Sequence, residues 1–390
     1  MDLSSLQYLY WYNCPVLTWN STILASIGAS LKTLHLSKQR MPIFPPDWLK
    51  LLPKLEALEM SGVTFGQLSS KPLDPSASHI KHLAYQEYNL TKIPEEVVAL
   101  FPDLTSLDFS LNSISDLNHL KDLKVPRNLS ELVLDYNHID NIGPLFYLTG
   151  IERLSISHNR ICDHKHIPYA LIPNENSLRS LALSLNCLTQ IPDLLFMSEL
   201  RDLYLHSNNI STPSSGVLPT SLSRLYLQRN VMTTIPESIS KLSSLYYLNL
   251  NNNKIKSMAD FEFPTRLMYL YISDNDIEVI PSLQFSNNIS KLTNMYLSGN
   301  PIKTIADDAF SNLHELTYLD LSNTHLVRLP TALLTLNKLH TLFLPDTLTC
   351  SCDDTAFTTW FQNLTRLRGK CNGTDLSLML HQLPSQCAVS

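Results

Sequence analysis

The stretch LYYLNLNNNKI, Leu245 to Ile255, places leucines at Leu245, Leu248 and Leu250, then Asn253, then Ile255. The frame is L-x-x-L-x-L-x-x-N-x-L, and it fits the chain fifteen times. Its ninth position falls at Cys14, Gln39, Val63, Tyr88, Asn112, Asn137, Asn159, Asn186, Asn208, Asn230, Asn253, Asn275, Asn300, Thr324 and Thr347, in steps of 22 to 27 residues. Self-similarity at such a period means stacked units, none of which buries its apolar face alone. The x-L-x-L-x core alternates with period two, as a strand with one buried face does. Positions 1, 4, 6 and 11 therefore point inward, and positions 2, 3, 5, 7 and 8 lie on or beside the solvent-facing surface.

The ninth position has its own chemistry. A sharp turn after each strand leaves buried backbone N–H and C=O groups that need partners. An Asn amide offers donors and an acceptor, so stacked asparagines can serve successive turns, and nine consecutive positions from Asn112 to Asn300 keep it. Thr324 and Thr347 retain part of that capacity. Val63 has none and Tyr88 fits poorly, so the third and fourth repeats are expected to be irregular. Ile-Pro or Leu-Pro pairs recur beyond the turn, at Pro94, Pro192, Pro236, Pro281 and Pro330. Proline lacks an N–H and hinders helix entry, which predicts extended chain or short helical turns on the return side.

Over residues 3–347 the chain resembles the leucine-rich repeat family. The resemblance implies an α/β solenoid, curved, with a parallel sheet on its concave side and a mostly irregular convex side. Residues 350–387, CSCDDTAFTTWFQNLTRLRGKCNGTDLSLMLHQLPSQC, are similar to the C-terminal cysteine cap of that family. Two domains follow: about fifteen repeats over 1–347 and a cap over 348–390. Asp353 or Asp354 can begin a helix whose Phe357, Trp360, Phe361 and Leu364 share one face and plug the stack. The resemblance implies the pairs Cys350–Cys371 and Cys352–Cys387, each contributing roughly 3 kcal/mol by loop closure. A zinc site is the rival reading of four thiols, but the long, unequal spacings do not fit the usual fingers.

Paired cysteines belong to an oxidising compartment. Seven N-x-[ST] sequons, at Asn20, Asn89, Asn128, Asn209, Asn288, Asn363 and Asn372, agree with a secreted route and predict glycosylation there. None of the five in the repeats occupies a solvent-facing strand position. Extracellular space or the cell surface is the expected location, with the endosomal lumen as a second. The opening MDLSSLQYLYWYNCPVLTW has Asp2 and no basic start, so it does not read as a signal peptide. Leu6 to Trp11 already reads as a strand with no N-terminal cap before it, and Met1 is expected to be internal to a longer precursor. No apolar window is long enough to span a bilayer, so membrane attachment would need a segment outside this stretch.

Composition excludes several classes. Of 390 residues, 44% are hydrophobic and 16% charged, which argues for a large core and against disorder. A formal charge of −6 without basic blocks offers no surface for nucleic acid. No G-x-S-x-G, H-E-x-x-H, C-x-x-C or phosphate-cradling glycine loop is present, so neither catalysis nor a cofactor is expected. CDHKHIP, with Cys162, Asp163, His164 and His166, reads as a metal clip or as a solvated loop, and the loop fits its place after a turn. Cys162 and Cys187 are one repeat apart and are either a disulfide across adjacent turns or two isolated thiols. His35, His82, His158 and His206 fall at solvent-facing positions, either as pH-sensitive contacts or as ordinary exposed histidines.

The tyrosines are the handle on function. Tyr204, Tyr226, Tyr271 and Tyr296 occupy position 5; Tyr247, Tyr269 and Tyr318 occupy position 3; Tyr246 sits at position 2. Tyr8, Tyr10 and Tyr12 mark the first repeat. Tyrosine suits strands, and rings on strands about 4.8 Å apart can stack for stability alone. The set lies beside Arg201, Arg224, Arg229, His206 and Asp274, a composition typical of binding hot spots. We therefore expect these residues to contact a protein or glycan on the concave face, with homodimerisation a further expectation. The irregular repeats and cysteine cap resemble Toll-like receptor ectodomains, which implies ligand recognition in innate immunity; a secreted adhesion or matrix scaffold is the alternative.

Overall fold

The computed structural model describes residues 4–12, 21–38, 40–44, 47–68, 79–123, 125–214, 216–259, 261–282, 284–285 and 289–378. Cys14, Gln39, Asn20, Asn288 and Cys387, all named above, lie outside the described residues. The chain forms two compact units, Met1–Cys187 and Leu188–Ser390.

In the first unit the strands Tyr8–Tyr12, Thr33–Ser37, Ala57–Ser61, His82–Gln86, Ser106–Asp108, Glu131–Val133, Arg153–Ser155 and Ser180–Ala182 pair in parallel, each with the next. In the second unit the same holds for Asp202–Tyr204, Arg224–Tyr226, Tyr247–Asn249, Tyr269–Tyr271, Asn294–Tyr296, Tyr318–Asp320, Thr341–Phe343 and Arg366–Arg368. In each unit position 4 pairs with position 4, as Leu58↔Leu83 and Leu248↔Leu270 show. Register is set by burial: Leu245, Leu248, Leu250 and Ile255 are all fully buried, and a slip of one residue would turn them to water. Each such side chain contributes about 1.5–3 kcal/mol.

The return side is built as the prolines require. It holds short 3-10 turns such as Glu237–Lys241 and Thr331–Thr335, each preceded by Pro236 or Pro330, and few helices, such as Ser21–Gly28. Small parallel pairs, Arg40–Phe44 with Thr64–Leu68 and Val279–Ile280 with Thr304–Ile305, supplement them.

The asparagine ladder closes its hydrogen bonds between repeats. Asn253 Oδ1 accepts the Met232 N–H at 3.2 Å, while Nδ2 donates to Leu227 O at 3.1 Å and Leu250 O at 3.0 Å. Thr324 donates once, to Leu321 O at 2.8 Å. The third and fourth repeats differ from expectation: their strands are five residues long and in unbroken register. Val63 fills its place as a fully buried aliphatic, and Tyr88 stacks on Tyr85 with centroids 3.7 Å apart. The irregularity stays in the ladder and does not reach the sheet.

Position 8 carries a feature invisible in the frame. Its residues adopt left-handed backbone from Lys38 (φ 52) through Leu111 (φ 57), Arg229 (φ 58) and Asp274 (φ 53) to Asn323 (φ 54). Only Gly62 and Gly299 bring the residue type that takes this conformation without strain.

Cysteines lock both units. Cys162 and Cys187 form a disulfide with Cα atoms 4.5 Å apart, and Cys350 pairs with Cys371 at 5.8 Å. Cys352 is also disulfide-bonded. Within the cap, the helix Thr355–Trp360 buries Phe357 and the 3-10 turn Phe361–Asn363 that follows buries Phe361; Trp360 meets Phe361 edge-on at 5.3 Å. Asp354 stands at the N-cap, but its carboxylate accepts the Ser351 N–H at 2.8 Å rather than capping the helix.

Candidate functional site

Alternation turns position 5 to water between two buried leucines, and in the unit Leu188–Ser390 that position is repeatedly tyrosine. Tyr204 and Tyr226 are in register, as are Tyr271 and Tyr296. Their rings stack with centroids 4.5 Å and 4.3 Å apart, inclined by 12° and 8°. Between these pairs position 5 is Asn249, and the position-3 ring of Tyr247 takes its place, 4.9 Å from Tyr226 and 5.1 Å from Tyr271. The substitution recurs where position 5 is Asp320: Tyr318 lies 4.7 Å from Tyr296. Tyr269 stands further off, 6.2 Å from Tyr247. The row continues edge-on from Tyr318 into Phe343 at 5.6 Å.

Stacking withdraws the rings partly from water, and all are half-buried. Burial pushes the Tyr226 phenol up to about 12, with Tyr204 and Tyr247 adding to the shift. It likewise raises Tyr204, Tyr247, Tyr271 and Tyr318. These side chains are neutral phenols at physiological pH, able both to donate and to accept hydrogen bonds.

The remaining residues expected at this surface divide by their partners. Arg224 is clamped by Asp202 through two bonds, Nε to Oδ1 at 2.5 Å and Nη2 to Oδ2 at 2.6 Å, so its fork is already occupied. Arg201 is exposed and 3.4 Å from Glu199. Arg229 is exposed on its left-handed position 8. His206 Nδ1 lies 3.3 Å from Ser207 Oγ. Tyr246 is half-buried and, among the described residues, belongs to no ring pair.

Other sequence candidates sit in the unit Met1–Cys187. His35 Nδ1 is 3.0 Å from Glu59, His82 Nδ1 is 2.8 Å from Ser106 Oγ, and the His158 ring stacks on Tyr136 at 3.8 Å. Tyr8, Tyr10 and Tyr12 are well exposed, with Tyr10 stacked on His35. In CDHKHIP, Cys162 is spent in its disulfide, and Asp163 accepts the Lys165 N–H and pairs with His166. Asn89, Asn128, Asn209, Asn363 and Asn372 are all exposed.

Three residues of this surface are not among the sequence candidates: Phe343, at position 5 of the repeat that ends its frame with Thr347, and Arg366 and Arg368, which lie beyond the fifteen repeats. The signal was present, because Leu364-Thr-Arg-Leu367-Arg repeats the L-x-x-L frame inside the cap with arginines at positions 3 and 5.

Residues 199–255, 265–326 and 290–348 match the family described as Leucine rich repeat. Human Leucine-rich repeats and immunoglobulin-like domains protein 3 is 31% identical over 179 residues, covering 43% of this chain and 15% of its own length. Human Lumican is 34% identical over 181 residues, covering 45% of this chain and 52% of its own. The chain thus spans no more than 52% of either relative. Among solved structures, Drosophila Toll in its complex with Spatzle shares the fold, with a TM-score of 0.65 at 19% identity over 88% of this chain and 52% of that one. With its matched repeats, its parallel strands and its disulfide-bonded C-terminal cap, this chain has the leucine-rich repeat solenoid fold and resembles the Toll ectodomain in that fold.

Proposed function

We propose that the chain is an extracellular recognition module that binds a protein or glycan through the tyrosine-bearing face of the sheet in Leu188–Ser390. The observation that carries this reading is the unbroken aromatic row from Tyr204 to Phe343 on the open side of the strands. Contiguous half-exposed aromatic area of this kind is characteristic of partner surfaces. Disulfides between Cys162 and Cys187 and between Cys350 and Cys371 favour an oxidising, extracellular setting, and the exposed sequons are compatible with glycosylation there. The complex of Toll with Spatzle is an instance of a protein ligand on this fold.

Replacing Tyr226, Tyr271 and Tyr296 together with alanine tests the reading. Capture of a purified partner is expected to weaken at least about tenfold while circular dichroism stays unchanged, since each lost hot-spot ring is worth about 1–2 kcal/mol or more. A folded triple variant with full capture would remove the surface from consideration, and a variant that no longer folds would make the row a stacking device.

A further inference from the structure

The aromatic row ends in a charged seat. Arg366 and Arg368 occupy positions 3 and 5 of the strand Arg366–Arg368, so both point to the same face as Phe343. Their guanidinium carbons lie 5.1 Å and 5.6 Å from the Phe343 ring centroid. Such contacts orient a planar cation and leave its N–H fork facing outward. Both arginines are exposed, and among the described residues neither has a carboxylate partner, whereas nearby Lys370 is held by Asp346 at 3.1 Å. Two pre-oriented forks with unused donors form a seat for carboxylates.

The rest of the row selects what carries those carboxylates. Where Tyr204 faces Tyr226 and Tyr271 faces Tyr296, the rings lie nearly parallel and cover one another. A sugar needs an open ring face for stacking, and these stacks present edges and hydroxyls instead. A sulfated polysaccharide draws its affinity from many neutralised charges. Here Arg224 is spent on Asp202 and Arg201 lies against Glu199, and Arg366 and Arg368 are two cations at the end of a row that also bears Asp274 and Asp320, in a chain of net charge −6. From Asp202–Tyr204 to Arg366–Arg368 the strands span roughly 34 Å at about 4.8 Å per step, the reach of about ten extended residues.

We propose that the row binds an extended protein segment of about ten residues whose polar groups meet the phenol hydroxyls and whose acidic end seats on Arg366 and Arg368. This rests on the tyrosine face being a contact surface, and it adds the partner's chemistry and polarity.

Panning a phage-displayed random peptide library, about ten residues long to match that span, on the full chain tests it. Recovered peptides are expected to be enriched in Asp and Glu near one end. R366Q/R368Q should abolish that enrichment and weaken a recovered peptide at least about tenfold. R366K/R368K keeps the charges, loses the forks and should fall between; it also serves if the glutamine variant does not fold. Recovery of no peptide, absence of acidic enrichment, or enrichment that persists in R366Q/R368Q would overturn the proposal. Stronger binding of heparin oligosaccharides than of any recovered peptide would overturn it in favour of a polyanionic glycan. Acidic peptides that need the arginines but bind Y226A/Y271A/Y296A normally would uphold the seat and refute the tyrosine face.

Discussion

At the scale of one residue, Asn275 shows that the repeat is held by more than leucine burial. Its amide is 4% exposed; Oδ1 accepts the Ile255 N–H at 3.0 Å, and Nδ2 donates to Leu250 O at 3.0 Å and Ile272 O at 3.2 Å. Asn275→Ala orphans groups in two successive turns. Each buried polar group left unpaired costs about 1–3 kcal/mol, so the variant should lose about 3 kcal/mol in urea unfolding. Asn275→Thr should lose less, because the Thr324 hydroxyl keeps one such bond at the same position. Equal losses in the two variants would show that a single hydroxyl bond of the Thr324 kind contributes nothing at this position. The ladder was readable because only one residue type supplies donors and an acceptor at that reach. The left-handed backbone at Leu111 or Leu185 was not, because the strain is set by the turn and leaves no residue signature.

At the scale of the element, period-two burial is a local property, so the strands, their register and the outward direction of the tyrosines were legible before any coordinates. Cross-strand geometry was not. Nothing in a list of positions says that Tyr247 and Tyr318, at position 3, lean into the gaps left by Asn249 and Asp320 to complete one row. Arg224 was legible as a cation but not as one neutralised by Asp202, since that bond joins residues 22 positions apart. The strand Arg366–Arg368 was obscured by the cysteine spacing around it. Cys162 and Cys187 left two readings open, and the backbone decides between them by bringing the two Cα atoms within 4.5 Å. Removing that cross-link as C162S/C187S is expected to destabilise the unit Met1–Cys187 by about 3 kcal/mol, from the loop of 25 residues it closes. Denaturant unfolding followed by hydrogen exchange should localise the loss to the strands Arg153–Ser155 and Ser180–Ala182. A loss confined to Leu188–Ser390 would contradict the assignment.

At the scale of the whole molecule, burial of phenols couples stability to alkaline pH. In Leu188–Ser390 burial raises Tyr204, Tyr226, Tyr247, Tyr271 and Tyr318; in Met1–Cys187 it raises Tyr85 and Tyr88. A phenol whose folded value lies above the unfolded value of 10.0 binds its proton more tightly in the native state. Stability from that difference is complete below the unfolded value and is lost as pH rises through the folded one, about 12 for Tyr226. Urea midpoints should therefore hold up to about pH 9 and fall steeply by about pH 11, with phenolate absorbance rising as the chain unfolds. The row accounts for part of this loss and the Tyr85–Tyr88 pair for the rest. Y226A/Y271A/Y296A removes phenols from the row only, so its midpoint should fall less steeply with pH than that of the unsubstituted chain. An unchanged slope would place the alkaline response outside the substituted rings, and would mean that Tyr226 and Tyr271 ionise as freely in the folded protein as in the unfolded one, with their faces open to water rather than closed against their neighbours.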